Sequence, residues 1–359
     1  MRAPNLKKIM EATSLTRAGR LQEATELLLD RGAKPADQAS ATRQPWALRA
    51  AGALSDQLFG HGAAPASTPG ADNAATSPGF TTHAYADKGL ERSYKLFVPT
   101  GYDGRPLPLV VMLHGCTQNP DDFAAGTQMN VLAQAQNFIV AYPEQTRAAN
   151  AQRCWNWFNA ADQERGSGEP ALIAGITRQI MTDLAIDPNR VYVAGLSAGG
   201  AAAAVMGMTY PDLYAAVGVH SGLACGAATD LMSALSVMKQ GGAGPKAKRQ
   251  LAVPTIVFHG DRDTTVNPIN GDETIAQARG SRSAGKVETI HGQSAGGLDY
   301  TRTVEASTPP LEHWTIHGAG HAWSGGSAAG SYTEPRGPDA SREMLRFFLA
   351  NPRSLAAAA

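Results

Sequence analysis

The stretch Val191-Tyr192-Val193-Ala194-Gly195-Leu196-Ser197-Ala198-Gly199-Gly200 constrains this chain more than any other. It opens as an apolar run with β-branched residues, the pattern of a buried strand. Within three residues it changes to Gly-Leu-Ser-Ala-Gly, and Ala201 to Met206 then read as a helix. A Gly-x-Ser-x-Gly turn between strand and helix holds its serine in a sharp, strained elbow. Gly195 and Gly199 leave room for the close approach of the two elements. The Ser197 hydroxyl would stand above the sheet at the helix N-terminus. There the Ala198 amide and the helix dipole favour an oxyanion. In a chain with 38 glycines the pattern alone also fits a plain turn. The flanking strand and helix make Ser197 a candidate nucleophile, so its partners must be sought.

The 359 residues allow one large domain or two ordinary ones. Basic and acidic residues balance at 31 each, and no basic block stands out, which argues against nucleic acid or an anionic membrane as partner. No apolar run is long enough to span a bilayer. Arg2, Lys7 and Lys8 are followed by no apolar segment of the secretory type, so a cytoplasmic location is expected, with export by another route left open. Oligomeric state is not legible.

Residues 1–60 read as a helical segment, in which Leu21, Ala24, Leu27 and Leu28 share one face. It would pack on the main domain or another subunit, or anchor a partner or particle. Residues 61–79 are rich in Pro, Ala, Ser and Gly and read as a linker. A catalytic domain is expected over 80–351, with a disordered tail at 352–359. Within it, strands are expected at Phe80 to Ala86, Arg92 to Pro99, Leu109 to Leu113, Phe138 to Tyr142, Ala215 to Val219, Thr255 to Phe258 and Leu311 to Ile316. Helices are expected at about 121–136, 170–184 and 339–349. The alternation implies a mostly parallel sheet covered on both faces, with the opening hairpin as an antiparallel edge.

In such a sheet reactive residues belong on loops at the carboxyl ends of strands. Leu109 to Leu113 runs into His114-Gly115-Cys116, and the Cys116 amide is the candidate second oxyanion donor, beside Ala198. His114 reads as a turn histidine bonded to the backbone. Thr255 to Phe258 runs into His259-Gly260-Asp261-Arg262-Asp263, where Asp263 is the preferred triad acid; Asp261 would pair with Arg262 or cap the loop. The last strand runs into Gly318-Ala319-Gly320-His321, and His321 is the candidate base. The order Ser197, Asp263, His321 is that of an α/β-hydrolase fold. His313, His317 and His321 recur every four residues, but Pro309, Pro310, Gly318 and Gly320 rule out a helix there, and a metal site is rejected. Trp155 and Trp157 lie on a loop expected at the same face; they read either as core or, with Trp323 opposite, as walls of a substrate pocket. Cys116 and Cys154 would sit near one mouth, which makes a disulfide between them an open possibility. Three cysteines are too few for a disulfide scaffold.

Leu113-His114-Gly115-Cys116-Thr117-Gln118, Cys154-Trp155-Asn156-Trp157, Gly195-Leu196-Ser197-Ala198-Gly199-Gly200 and Gly320-His321-Ala322-Trp323 together resemble the poly(3-hydroxybutyrate) depolymerase family of esterases. That family is related to the feruloyl and acetylxylan esterases. The resemblance covers roughly 80–349. It implies Ser197 as nucleophile, Asp263 as acid, His321 as base and the amides of Cys116 and Ala198 as oxyanion donors, with no cofactor or metal. The expected function is serine ester hydrolysis through an acyl-enzyme, on poly(3-hydroxybutyrate) or its oligomers. The alternatives are a feruloyl or acetylxylan-type esterase, and a non-catalytic granule- or partner-binding protein on a hydrolase fold. Family members that digest extracellular polymer usually carry a signal peptide and often a separate binding domain; neither is visible here.

Overall fold

The computed structural model describes residues 79–87, 90–242, 253–283 and 285–353. The expected N-terminal helices, nearly all of the linker, the turn residues Lys88 and Gly89, and most of the tail lie outside them.

Leu107–Leu113 (β3) shows why the sheet forms where it does. All seven residues are buried, as an unbroken apolar run requires when helices cover both faces of a sheet. Its side chains still alternate between two cores. Leu109, Val111 and Leu113 feed one, while Val110 and Met112 feed the other with Phe123, Met129 and Phe348.

Three strands precede the elbow besides β3: Phe80–Asp87 (β1), Leu90–Phe97 (β2) and Ile139–Pro143 (β4). The elbow strand is Ile186–Leu196 (β5), followed by Ala216–His220 (β6), Thr255–Gly260 (β7), Lys286–Gln293 (β8), Asp299–Ala306 (β9) and Leu311–Ile316 (β10). They form one ten-stranded sheet in the order β1-β2-β4-β3-β5-β6-β7-β10-β9-β8. The strands from β4 to β10 in that order are parallel to their neighbours, and the pairs at each edge are antiparallel. The β1–β2 edge matches the expected opening hairpin. The β8–β9 hairpin was not expected; β8 is largely exposed and β9 mostly half-buried, so no apolar run marks it.

The helix expected over 121–136 is two helices, Pro120–Thr127 (α1) and Met129–Gln136 (α2). They break at Gln128, which adopts φ 56° and donates its amide to Ala124 O, a left-handed cap. The remaining helices are Gly168–Asp183 (α3), Ala198–Thr209 (α4), Leu231–Gln240 (α5), Ile269–Arg279 (α6) and Ala340–Ala350 (α7). Among the described residues no helix is long and apolar enough to cross a membrane.

Candidate active site

Register places the site. Leu113 pairs with Gly195, Leu196 with His220, and Gly260 with Ile316, so the carboxyl ends of β3, β5, β6, β7 and β10 line up. The loops leaving these ends therefore meet.

Between β5 and α4, Ser197 sits at φ 57° and ψ −120°. For a residue with a Cβ this conformation costs on the order of 1–3 kcal/mol and needs support from outside. Part of that support is the Ser197 amide, which donates to His220 O at 2.9 Å. The two motif glycines allow the rest. A Cβ at Gly199 would lie 2.0 Å from Leu113 O, and one at Gly195 2.3 Å from Gly199 O. At the first helical position, the Ala198 amide is among those with no intrahelical acceptor.

After β3, the loop bearing Cys116 is held on several sides. Gly115 N donates to Gln118 Oε1 at 2.9 Å, and Gln118 Nε2 donates to Asp122 Oδ2 at 3.0 Å and to Ser331 O at 3.1 Å. Thr117, at φ 68°, donates its amide to Gln152 O at 2.6 Å. A disulfide joins Cys116 to Cys154, which decides the pairing left open by sequence. The Cys116 amide itself takes no backbone acceptor. His114 is the turn histidine expected: Nε2 accepts from Gln145 N at 3.1 Å, so Nδ1 donates to Gly115 O at 2.8 Å. Burial pushes its imidazole down to about 4, so it stays neutral.

Asp263 and His321 meet at 2.7 Å, Oδ2 to Nδ1. The other oxygen of Asp263 accepts from Thr265 N and Val266 N, both at 2.9 Å. Burial alone would raise this carboxyl, but hydrogen bonds from His259 and His321 outweigh it and hold it far below the usual carboxylate range. The acid loop is tied to the histidine loop through Asp261 N on Ile316 O (3.1 Å) and Arg262 N on Ala319 O (3.0 Å). Asp261 does cap a loop, taking Gly318 N at 2.7 Å, but its side-chain partner is His317 at 2.9 Å rather than Arg262. His313, His317 and His321 face three different carboxylates, those of Asp272, Asp261 and Asp263.

Ser197 and His321 line one small cleft together with Gly115, Cys116, Gln118, Leu196 and Tyr332. The Ser197 hydroxyl is not hydrogen-bonded to His321; contacts of this kind often close only with substrate in place.

The pocket-wall reading of the tryptophans is corrected. Trp155, Trp157 and Trp323 are all buried, and none lines the cleft. Trp155 packs against His114, and its loop is drawn inward by Asn156, whose amide and side chain donate to the buried Glu169 carboxylate at 2.7 Å each. Trp323 lies in the opposite core between Phe123 and His220, with its Nε1 donating to Ser341 Oγ at 3.0 Å. It anchors the segment that follows His321. Next to it, Ser324 N donates to His220 Nε2 at 3.0 Å. The aromatic side chain that does reach the cleft is Tyr332, at φ 52° and 37% exposed. Nothing in its flanking Gly/Ser-rich stretch singled it out. In the sequence Gln118 stands out only as part of the Leu113–Gln118 motif.

Comparison with known proteins bears on the family and the fold. The family model described as Esterase PHB depolymerase matches residues 92–298. A poly(3-hydroxyalkanoate) depolymerase C of Paucimonas lemoignei is 35% identical over 237 residues, covering 62% of this chain and 56% of that protein. A poly(3-hydroxybutyrate) depolymerase of Ralstonia pickettii is 27% identical, covering 64% and 50%. The chain thus spans about half the length of these two depolymerases. Feruloyl esterase B of Thermothelomyces thermophilus is 26% identical, covering 66% of this chain and 86% of that one. Among solved structures, an acetyl xylan esterase from Aspergillus awamori superposes with a TM-score of 0.58 at 21% identity, covering 75% of this chain and 98% of the other, which shows a shared α/β-hydrolase fold. With more than half of its length matched by the family model, the chain belongs to the esterase PHB depolymerase family.

Proposed function

We propose that this chain is a serine carboxylic-ester hydrolase whose substrate is poly(3-hydroxybutyrate) or its oligomers. The observation that carries the reading is the Asp263–His321 pair at 2.7 Å, opening onto the same cleft as the strained Ser197. With Nδ1–H donated to Asp263, the Nε2 of His321 is free to take the Ser197 proton. The serine oxygen attacks the ester carbonyl, and the amides of Ala198 and Cys116 hold the tetrahedral oxyanion. His321 returns the proton to the leaving alcohol. Water then cleaves the acyl-enzyme by the reverse roles, releasing the acid.

The two depolymerase relatives favour a polyester substrate. Feruloyl esterase B, matched over most of its own length, favours soluble ester as the second reading. A disulfide beside the cleft suits an oxidising compartment, and we take that over the cytoplasm as the working location.

The test is acid release from amorphous poly(3-hydroxybutyrate), with Ser197→Ala as control. Release by the wild type, falling by about three orders of magnitude or more in the variant, supports both triad and polymer. Activity on feruloyl or acetyl esters alone would move the substrate and keep the triad. Equal turnover by wild type and Ser197→Ala would refute the mechanism.

A further inference from the structure

Behind the triad lies a second histidine that the reaction scheme does not use. His259, the penultimate residue of β7, is 1% exposed. Its Nε2 lies 2.9 Å from Val266 O and 3.4 Å from Asp263 Oδ2, the same carboxylate oxygen that meets His321. A carbonyl and a carboxylate are both acceptors, so Nε2 must carry the proton, which goes to Val266 O with the Asp263 carboxylate alongside. Asp263 Oδ2 is therefore gripped from two sides, at 2.7 Å by the base and at 3.4 Å by His259.

The far side of the ring is also defined. His259 Nδ1 is buried without a partner, and so is His313 Nε2, from β10. Both aim at one point: a Cβ at Gly271 of α6 would lie 3.0 Å from His259 Nδ1 and 3.2 Å from His313 Nε2. Gly271 has ordinary helical backbone there, and glycine inside a helix is unfavourable by roughly 0.5–1 kcal/mol against alanine. Space for the two rings accounts for it. The other nitrogen of His313 lies 3.6 Å from Asp272 Oδ1.

Taking the proposed triad as its starting point, we infer that His259 is a positioning residue for the reaction, holding Asp263 and sharing its negative charge with His321. The charged and titratable groups around Asp263 are His321 from the loop after β10, His259 from β7, and His220 from β6 within electrostatic reach. Lys239 of α5 donates to Thr264 O at 2.8 Å, one residue away, and His313 and Asp272 stand behind His259. Removing the Nε2–H of His259 leaves Asp263 Oδ2 to His321 alone, with Oδ1 still held by the two loop amides. The imidazolium of His321 is then better stabilised, so the acid limb of kcat/KM moves to higher pH. The carboxylate also loses one of its fixed contacts, so kcat falls.

The experiment measures kcat/KM against pH on a soluble butyrate ester for the wild type, His259→Phe and His259→Gln, with Ser197→Ala as blank. Glutamine can present an amide N–H close to where Nε2 stands. The expected result is an acid limb displaced upward by roughly half a pH unit or more in His259→Phe, with about a tenfold loss of kcat, and a limb near the wild-type position in His259→Gln. Superimposable acid limbs in all three would overturn the inference. Wild-type activity no higher than the Ser197→Ala blank would instead refute the triad itself. Should His259→Phe fail to fold, histidine nitrogen NMR of the wild type decides. A proton on His259 Nε2 at working pH upholds the inference, and a bare Nε2 overturns it.

Discussion

Cutting the Cys116–Cys154 bridge should change stability and rate by different amounts, for separable reasons. The bridge closes a loop of sequence separation 38. In the chain-entropy description, a loop of that length removes about 13 cal/mol/K from the unfolded ensemble, or about 3.9 kcal/mol at room temperature. For a domain of this size each kcal/mol is worth roughly 2–4 °C, so the Cys116→Ser, Cys154→Ser double variant should melt about 8–15 °C below the wild type. The rate should suffer less. Losing an oxyanion donor outright costs about 10²–10³ in kcat. Here the Cys116 amide is backbone and survives the substitution, while Thr117 N on Gln152 O and Gly115 N on Gln118 Oε1 still hold its loop. The loss should be about tenfold. Differential scanning calorimetry with and without reductant, beside a soluble-ester assay, reads both. Thiol titration of the unfolded, unreduced wild type should find one thiol, Cys225, rising to all three cysteines on reduction. Identical melting temperature and rate with and without the bridge would refute the reasoning.

Three further outcomes follow from the same geometry. Asp263→Asn should lower kcat by about 10³–10⁴, because an amide no longer selects the Nδ1–H tautomer of His321, while thermal unfolding shows the fold retained; a loss under tenfold would remove Asp263 from the triad. Gly199→Ala should abolish activity and lower the melting temperature sharply, since its Cβ would sit 2.0 Å from Leu113 O and 2.5 Å from His114 O, both backbone atoms that cannot swing aside; an active, fully stable variant would contradict the tightness of the elbow. Glu169 is pushed up to about 7 by burial, which outweighs the donors from Asn156 and Gln145. Its folded state therefore favours the protonated acid. That contribution is complete below the ordinary carboxylate range and is lost as pH rises through about 7, amounting to about 3 kcal/mol. Urea unfolding from pH 5 to 8 should show the wild type losing stability relative to Glu169→Gln, and parallel curves would exclude the effect.

The elements that carry the candidate site were legible because their signals are local. A buried parallel strand announces itself as an apolar run, and a strand-to-helix elbow as glycines spaced around a serine. Chain order then assigns Asp263 and His321 to the ends of the right strands. The β8–β9 hairpin and the break at Gln128 escaped notice for a matching reason: one buries almost none of its side chains fully, and the other lies inside a continuous helical pattern. The tryptophans failed differently. Their sequence neighbourhood is correct for the carboxyl face, but whether a ring faces a cleft or a core depends on what packs beneath it. Glu169 pulls the loop of Trp155 and Trp157 inward, and Ser341 and His220 hold Trp323.

The sequence by itself thus determined the fold class and nominated the candidate nucleophile and its two candidate partners, since strand period, turn chemistry and chain order are written in consecutive residues. Only the tertiary structure decided that Cys116 joins Cys154, that Tyr332 rather than any tryptophan borders the cleft, and that His259 shares Asp263 with His321. Each of these depends on residues brought together from separate elements, by strand register and loop packing that no local window of sequence contains.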